Sequence, residues 1–179
     1  YIDATALYSG IMTPPLPYKD FKWEDVSIID QVLKTEKNSN IGYFVECDLD
    51  YPPEIHYQTR DFPFCPVKRC VEYEELTKWQ QAVVKKETFK SAPKLICDQN
   101  NKKNYLVHYR LLQFYLKHGM KIKNVHSIIS FKQKCWMKTY IENNIALRKV
   151  AADKKDDFGV KNYKALNNNV FGKTMENTD

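Results

Sequence analysis

No run of apolar residues in this 179-residue chain reaches the roughly 18 residues that a membrane-spanning helix needs. The N-terminus has no basic-then-apolar signal peptide, and the chain has no internal repeat and no low-complexity tract. The five cysteines include no Cys-x-x-Cys pair, and the four histidines lack the spacing of a zinc hydrolase. These absences predict an intracellular protein with reduced thiols, with no membrane partner, no disulfide partner and no zinc site. They leave the compartment open.

The size and composition indicate a globular protein. A chain of 21.2 kDa with 43% hydrophobic and 28% charged residues can bury a core. The first residue is tyrosine and not methionine, so we expect the chain to be a piece of a longer protein.

The net charge of +6 is distributed unevenly along the chain. Residues 1–60 have five basic and ten acidic side chains, residues 61–120 have eleven and six, and residues 121–179 have twelve and six. An acidic start followed by a basic remainder fits a cation-binding segment joined to a surface for a polyanion. A lysine-rich surface that is merely solvated would produce the same pattern.

Hydrophobic periodicity predicts a mixture of strands and helices, and therefore an α+β fold. Residues 42–51 alternate between apolar and polar and predict a half-buried strand. We predict a strand pair formed by residues 95–97 and 105–109, and a further strand over residues 121–131. Helices are predicted at residues 23–33, 73–84, 110–117, 136–152 and 161–171, the third one stopped by Gly119 and the last one ending at Gly172.

Two segments at opposite ends of the chain contain candidate chemistry. The first is Asp3-x-x-x-Leu7-Tyr8, where a carboxylate at a strand end can bind Mg²⁺, Leu7 would anchor the turn in the core, and the Tyr8 ring can face a sugar. An equally simple interpretation has Asp3 as a turn residue and Tyr8 as a core residue.

The second segment is residues 161–174. On a helix, Lys164, Asn168 and Phe171 share one face, with Lys161 one turn earlier. Lysines can neutralise a triphosphate, and Phe171 with Gly172 can lie flat against a base pair. The alternative is a capped surface helix with an Asn-rich end.

Taken together, Asp-x-x-x-Leu-Tyr and the downstream Lys-x-x-x-Asn-x-x-Phe-Gly resemble motifs A and B of family B DNA polymerases. Further sequence segments make the resemblance to the protein-primed branch more specific. This branch is found in Maverick/Polinton-type elements, adenovirus-like and virophage-like genomes and linear organellar plasmids. These segments are Pro15-Leu16-Pro17, Gly42-Tyr43-x-x-Glu46-x-Asp48-Leu49-x-Tyr51-Pro52 and Asn168-Asn169-Val170-Phe171-Gly172-Lys173-Thr174.

The resemblance implies three regions. Residues 1–14 would be the palm segment with motif A. Residues 15–125 would be a mixed α/β insertion that contacts a terminal protein and DNA. Residues 126–179 would be a return strand and a helical fingers hairpin with motif B.

The resemblance also implies roles for individual residues. Asp3 would be the catalytic carboxylate and the ligand of both Mg²⁺ ions of a two-metal site. Contacts with the incoming dNTP are implied for Leu7, Tyr8 (as the steric gate against ribonucleotides), Arg148, Lys161, Lys164 and Asn168. Contacts with the template or nascent base pair are implied for Asn169, Phe171 and Gly172.

The resemblance predicts a nucleotidyltransferase that extends a DNA primer on a template during DNA replication. The sequence departs from the family pattern at Ala6, Ser9 and Phe171, and it has no Asp-Thr-Asp motif C. Asp48 and Asp50 do not replace motif C, since a solvated strand face explains them better. We therefore expect the isolated chain not to polymerise DNA. The competing hypothesis is a non-catalytic nucleic-acid-binding remnant of a mobile element.

Overall fold

The structure is a computed structural model, and it describes residues 6–176. It divides into two compact units, each built from separate stretches of the chain. The first unit comprises Tyr1–Trp23, Lys34–Tyr43 and Ile129–Asp179, and the second comprises Glu24–Leu33 and Phe44–Ile128. The boundaries implied by the resemblance, 1–14, 15–125 and 126–179, stay a prediction.

Helices and strands both contribute substantially and the strands pair in an antiparallel manner, which confirms the predicted α+β class in general. The strands are β1 (Leu16–Glu24), β2 (Ile41–Asp50), β3 (Val67–Arg69), β4 (Lys94–Ile96), β5 (Lys102–His108) and β6 (Lys121–Lys134). The α-helices are α1 (Leu7–Ile11), α2 (Ile29–Lys34), α3 (His56–Thr59), α4 (Lys78–Val83), α5 (Tyr109–Lys117), α6 (Lys138–Asp153) and α7 (Asp157–Thr174).

Four strands form the larger sheet in the order β1-β6-β2-β5, and β3 pairs with β4 in a smaller one. Strand β2 has the predicted alternation, since Tyr43, Val45, Cys47 and Leu49 are buried and the residues between them are half-buried. A strand with one fully buried face specifies its register strongly. Val45 is accordingly opposite Val107, and Cys47 is opposite Tyr105, in the antiparallel pairing with β5.

The predicted pairing of residues 95–97 with residues 105–109 is wrong. Strand β4 pairs instead with β3, where Val67 is opposite Ile96, and β5 pairs with β2. The connection over residues 97–101 has no two-residue turn that would force neighbouring strands to pair. Its Asp98 side chain instead accepts hydrogen bonds from Arg69 at 3.0 Å and from the Asn100 backbone N–H at 3.1 Å.

The first predicted helix begins later than expected. Trp23 belongs to β1, and the helical residues start with a 3₁₀ turn at Val26–Ile28 that continues into α2. The Asp25 side chain accepts a hydrogen bond from the Ser27 backbone N–H at 2.8 Å and thereby caps this turn.

Helix α5 confirms the predicted stop at Gly119. Gly119 has a φ of 98°, and the Met120 N–H donates to the Tyr115 carbonyl at 3.1 Å while the Gly119 N–H donates to the Leu116 carbonyl at 3.1 Å. This pair of hydrogen bonds forms a Schellman C-cap, which requires the left-handed backbone that glycine adopts without strain.

Helices α6 and α7 form the predicted helical hairpin. The Asp156 side chain caps α7 by accepting a hydrogen bond from the Gly159 N–H at 2.9 Å. The prediction that the last helix ends at Gly172 is wrong, because α7 continues to Thr174. A glycine inside a helix lowers helix stability by only about 1 kcal/mol relative to alanine, and the neighbouring helical turns can offset that loss.

Candidate functional site

Helix α1, which contains Leu7 and Tyr8 of the N-terminal motif, packs against α7 within the first unit. Met12, at the end of α1, is buried in a cluster with Met137 and Ile141, and Val170 and Phe171 of α7 pack against that cluster. We expected Leu7 to anchor this segment in the core, and that expectation is wrong, since Leu7 is 56% exposed. The predicted turn after Asp3 is also a short helix over Leu7–Ile11.

The aromatic rings of Tyr8 and Phe171 stack on each other. Their centroids are 4.3 Å apart, and the ring planes differ by 3°. Such a pair contributes about 0.5–1.5 kcal/mol beyond the area it buries. Tyr8 is nevertheless 49% exposed, so the simple interpretation of Tyr8 as a core residue does not hold. Two residues predicted to contact a nucleotide and a base pair, from opposite ends of the chain, are thus in direct contact.

A buried polar contact ties α1 to both long helices. The Asn167 side chain accepts a hydrogen bond from the Asn144 amide at 2.8 Å and donates one to the Ser9 hydroxyl at 3.4 Å. All three residues are buried. The sequence offered one signal for this contact, because three consecutive asparagines in a helix need a reason other than helix propensity.

The outer face of α7 presents the predicted polar residues to solvent. Lys161, Lys164 and Asn168 are exposed and lie on one face of the helix, since their spacing returns to nearly the same angle at about 100° per residue. Gly172 lies on this face too, and a Cβ placed on it would meet no atom within 4 Å. Asn169, predicted to contact the template, is exposed about 100° around the helix from Asn168.

Arg148 lies on α6, in the stretch of the hairpin that runs alongside the α7 lysines. Asn144 pairs with Asn167, and Ala151 approaches Gly159, so the two helices are antiparallel and Arg148 falls between these two contact points. Arg148 is half-buried. The structure therefore places Arg148 at the level of Lys161 and Lys164 along the hairpin.

The predicted metal ligand Asp3 lies outside the described residues. Within residues 6–176, no group of three or more His, Cys, Asp or Glu side chains is arranged to hold a metal ion. The first turn of α1 contains no acidic residue. The described residues therefore do not test the fit of Mg²⁺, and the predicted Mg²⁺ site at Asp3 stays a prediction.

Asp48 in the second unit has a more specific environment than a solvated strand face. Its carboxylate accepts hydrogen bonds from His126 Nε2 at 2.8 Å, from the Asn104 N–H at 2.9 Å and from the Asn124 amide at 3.1 Å. These donors, His126 first, hold the pKa of Asp48 well below its usual range. The carboxylate thus joins β2, β5 and β6 within the second unit.

Comparison with known proteins finds no match to a family model, to a curated protein or to a solved structure. Over residues 6–176, no helix is long and apolar enough to cross a membrane. All five cysteines are free thiols in the structure, and Cys47 and Cys65 are buried. Burial raises the pKa of Cys47 to about 11 and that of Cys65 to about 12.

Proposed function

We propose that this chain is the part of a protein-primed family B DNA polymerase that contains motifs A and B, and that α1 and α7 bind the incoming dNTP. The observation that carries the proposal is the stack of Tyr8 on Phe171. Chance motifs at the two ends of a chain have no reason to meet in the fold. A nucleotide site built from both motifs requires them to meet.

The charges next to the stack support a triphosphate as the ligand. Lys164 lies two turns before Phe171 on α7, on the adjoining exposed surface, and Lys161 precedes it by one turn. Lysine ammonium groups bind phosphate as point charges, and exposed lysines can approach a ligand without losing an existing buried contact. Asn168 lies between the lysines and Phe171 along the same face and can donate to or accept from a sugar hydroxyl.

In this proposal Tyr8 faces the deoxyribose and excludes a 2′-OH, while Phe171 and Gly172 lie along the nascent base pair. Lys161, Lys164 and Arg148 hold the triphosphate. In the complete enzyme a primer 3′-OH attacks the α-phosphate of the dNTP and pyrophosphate leaves. Mg²⁺ bound through Asp3 would neutralise phosphate charge. The described residues contribute binding and orientation.

A non-catalytic nucleic-acid-binding remnant remains the second candidate, because Lys161 and Lys164 would serve a DNA backbone equally well. The two candidates differ in what the α7 face recognises. The polymerase proposal requires a saturable dNTP site, and the binding remnant requires only phosphate contacts along DNA.

Equilibrium dialysis with labelled dTTP, in the presence of Mg²⁺, tests the proposal on the 179-residue chain. We expect Lys164→Ala to weaken dTTP binding about tenfold, the equivalent of about 1.4 kcal/mol, and to change duplex DNA binding by less than about twofold. Lys149→Ala, an exposed lysine on α6, is the matched control and should change neither. Equal losses of dTTP and DNA binding, or DNA binding without a saturable dTTP site, would favour the remnant.

A further inference from the structure

Strand β1 is one of the two edge strands of the four-stranded sheet, and its central residues are exposed on both faces. Every residue from Tyr18 to Trp23 is exposed. An ordinary edge strand buries at least one face against a core. Six consecutive exposed residues that include three aromatic rings therefore call for a ligand or partner.

The aromatic residues of β1 differ in what holds them. The Phe21 ring packs against the buried ring of Phe131, with centroids 5.7 Å apart, and so has a structural role. Trp23 is 74% exposed, and Tyr18 is also exposed. Tyr18 and Trp23 are five residues apart along the strand.

Cations surround the Tyr18 ring. Lys134 Nζ lies over the ring at 4.8 Å from its centroid, and Lys19 Nζ lies at 5.6 Å. Lys22 follows between Tyr18 and Trp23. None of the ion pairs in the part of the chain that the structure describes involves Lys19, Lys22 or Lys134. Their charges are therefore available to a ligand.

The one acid in this stretch of β1 is already neutralised. Asp20 forms an ion pair with Lys132, in which Oδ2 of the aspartate lies 2.8 Å from Nζ of the lysine. The Lys132 hydrogen bond, with the charges of Lys132, Lys19 and Lys22, holds the pKa of Asp20 below its usual value. Asp20 therefore leaves the surface positively charged, which favours an anionic ligand.

Several features oppose a second strand as the partner of β1. Pro17 has no N–H to donate to an added strand. Asp20 has a φ of 58°, which interrupts the extended backbone, and Lys19 precedes it while Lys22 follows two residues later. Such features protect sheet edges from pairing. They leave the side chains, and not the backbone, as the groups that a ligand contacts.

We propose that the β1 surface, defined as Tyr18, Lys19, Lys22, Trp23 and Lys134, binds single-stranded nucleic acid. Bases stack on Tyr18 and Trp23, and the three lysines contact the backbone phosphates. Exposed aromatic rings with interleaved cations are the arrangement that suits unpaired bases, whose faces a duplex would hide. This inference does not rest on the proposed dNTP site, because it uses no residue of α1 or α7.

Fluorescence anisotropy of labelled dT₁₂, rU₁₂ and a 12-base-pair duplex tests this inference on the whole chain. We expect both single strands to bind more tightly than the duplex, and tighter binding of one of them identifies DNA or RNA as the natural class. Trp23→Ala should weaken dT₁₂ binding about tenfold, as expected for one lost stacking contact. Lys134→Gln should reduce the salt slope by about 0.7, the value of one phosphate on a single strand.

Trp79→Ala is the matched control, because Trp79 on α4 of the second unit is also 74% exposed and also follows a lysine. It should leave dT₁₂ binding unchanged. Quenching of tryptophan fluorescence by dT₁₂ should disappear in Trp23→Phe and persist in Trp79→Phe. Equal effects of the two alanine variants, a preference for duplex, or self-association through β1 without dT₁₂ binding would overturn the inference. Lys164→Ala should not alter the Trp23 quenching, so this test and the dTTP test can fail separately.

Discussion

At the scale of single residues, the informative positions are those whose surroundings the sequence leaves open. The sequence marked Tyr8 and Phe171 as chemically suited to a nucleotide site, but it gave no reason for their rings to touch. Contact between residues so distant in the chain depends on how α1 packs on α7, and the buried side chains of Met12 and Asn167 contribute to that packing.

The Tyr8 ring sets a prediction about sugar selectivity. Tyr8→Ala should lower the ratio of the UTP to the dTTP dissociation constant about tenfold, because removal of the ring opens space for a 2′-OH. Tyr8→Phe keeps the stack on Phe171 and should keep the ratio. Tyr57→Ala, an exposed tyrosine of the second unit, is the control. An unchanged ratio of the two dissociation constants in Tyr8→Ala would mean that Tyr8 does not contact the sugar. The dTTP dissociation constant from the same titration shows whether the variant still binds the nucleotide.

Three consecutive asparagines on α7 provide an internal comparison for stability. Asn167→Ala should lower the free energy of unfolding by about 1–3 kcal/mol, because it leaves the buried Asn144 amide and Ser9 hydroxyl without their partner. Asn168→Ala and Asn169→Ala, at exposed positions, should change it by less than about 0.5 kcal/mol. Urea denaturation of the three variants measures the difference. Equal effects at all three positions would mean that the buried contact does not form.

At the scale of elements, the sequence predicted those segments whose patterns were strong and local. The alternation of β2 and the glycine stop of α5 are confirmed because each depends on a few neighbouring residues. The pairing of β4 with β3 could not be predicted, since strand partners are chosen over long distances and no short turn forced a choice. The prediction that α7 ends at Gly172 is wrong because a glycine ends a helix only where it adopts the left-handed backbone.

Two glycines of α7 should respond to alanine in opposite directions. Gly172→Ala should raise the free energy of unfolding by up to about 1 kcal/mol, because the added Cβ meets open space and improves helix propensity. Gly159→Ala should lower the free energy of unfolding, since the Cβ would lie 2.5 Å from Asp156 Oδ2 and 2.9 Å from the Ala151 Cβ. Thermal unfolding of both variants, with circular dichroism, checks the two signs.

The same Gly172→Ala variant also examines the α7 face as a ligand site. If a base pair lies against Gly172, the variant should bind nucleotide or DNA more weakly while being more stable. A variant that is more stable and binds normally would mean that no ligand approaches Gly172 closely.

At the scale of the whole molecule, charge and burial determine how the chain responds to acid. Burial of His108, with Arg110 nearby, lowers its pKa to about 4. Its Nδ1 accepts a hydrogen bond from the Arg110 N–H at 3.4 Å, which a protonated ring would lose. The unfolded chain therefore binds a proton at His108 at higher pH than the folded chain does. Stability should decrease as the pH falls from about 6.5 towards 4.

Urea denaturation at pH 7 and pH 5 measures this effect. We expect the free energy of unfolding to fall by on the order of 1 kcal/mol between the two pH values in the natural chain, and to fall less in His108→Gln.

Carboxylates with lowered pKa affect stability in a separate pH range. Hydrogen bonds from Arg69 hold the pKa of Glu75 at about 2, so its contribution is present above about pH 4.5 and is lost only at lower pH. An equal pH dependence in His108→Gln would mean that groups other than His108 cause the loss of stability between pH 7 and pH 5.

The central claim is that α1 and α7 together bind a nucleotide, and photo-crosslinking with 4-thio-dTTP tests it most directly. After irradiation and tryptic digestion, we expect label in the peptides Tyr1–Lys19, which contains Tyr8, and Ala165–Lys173, which contains Phe171. Unlabelled dTTP should compete the label away from both peptides. Competable label confined to peptides of the second unit, or label that dTTP does not compete, would contradict the claim.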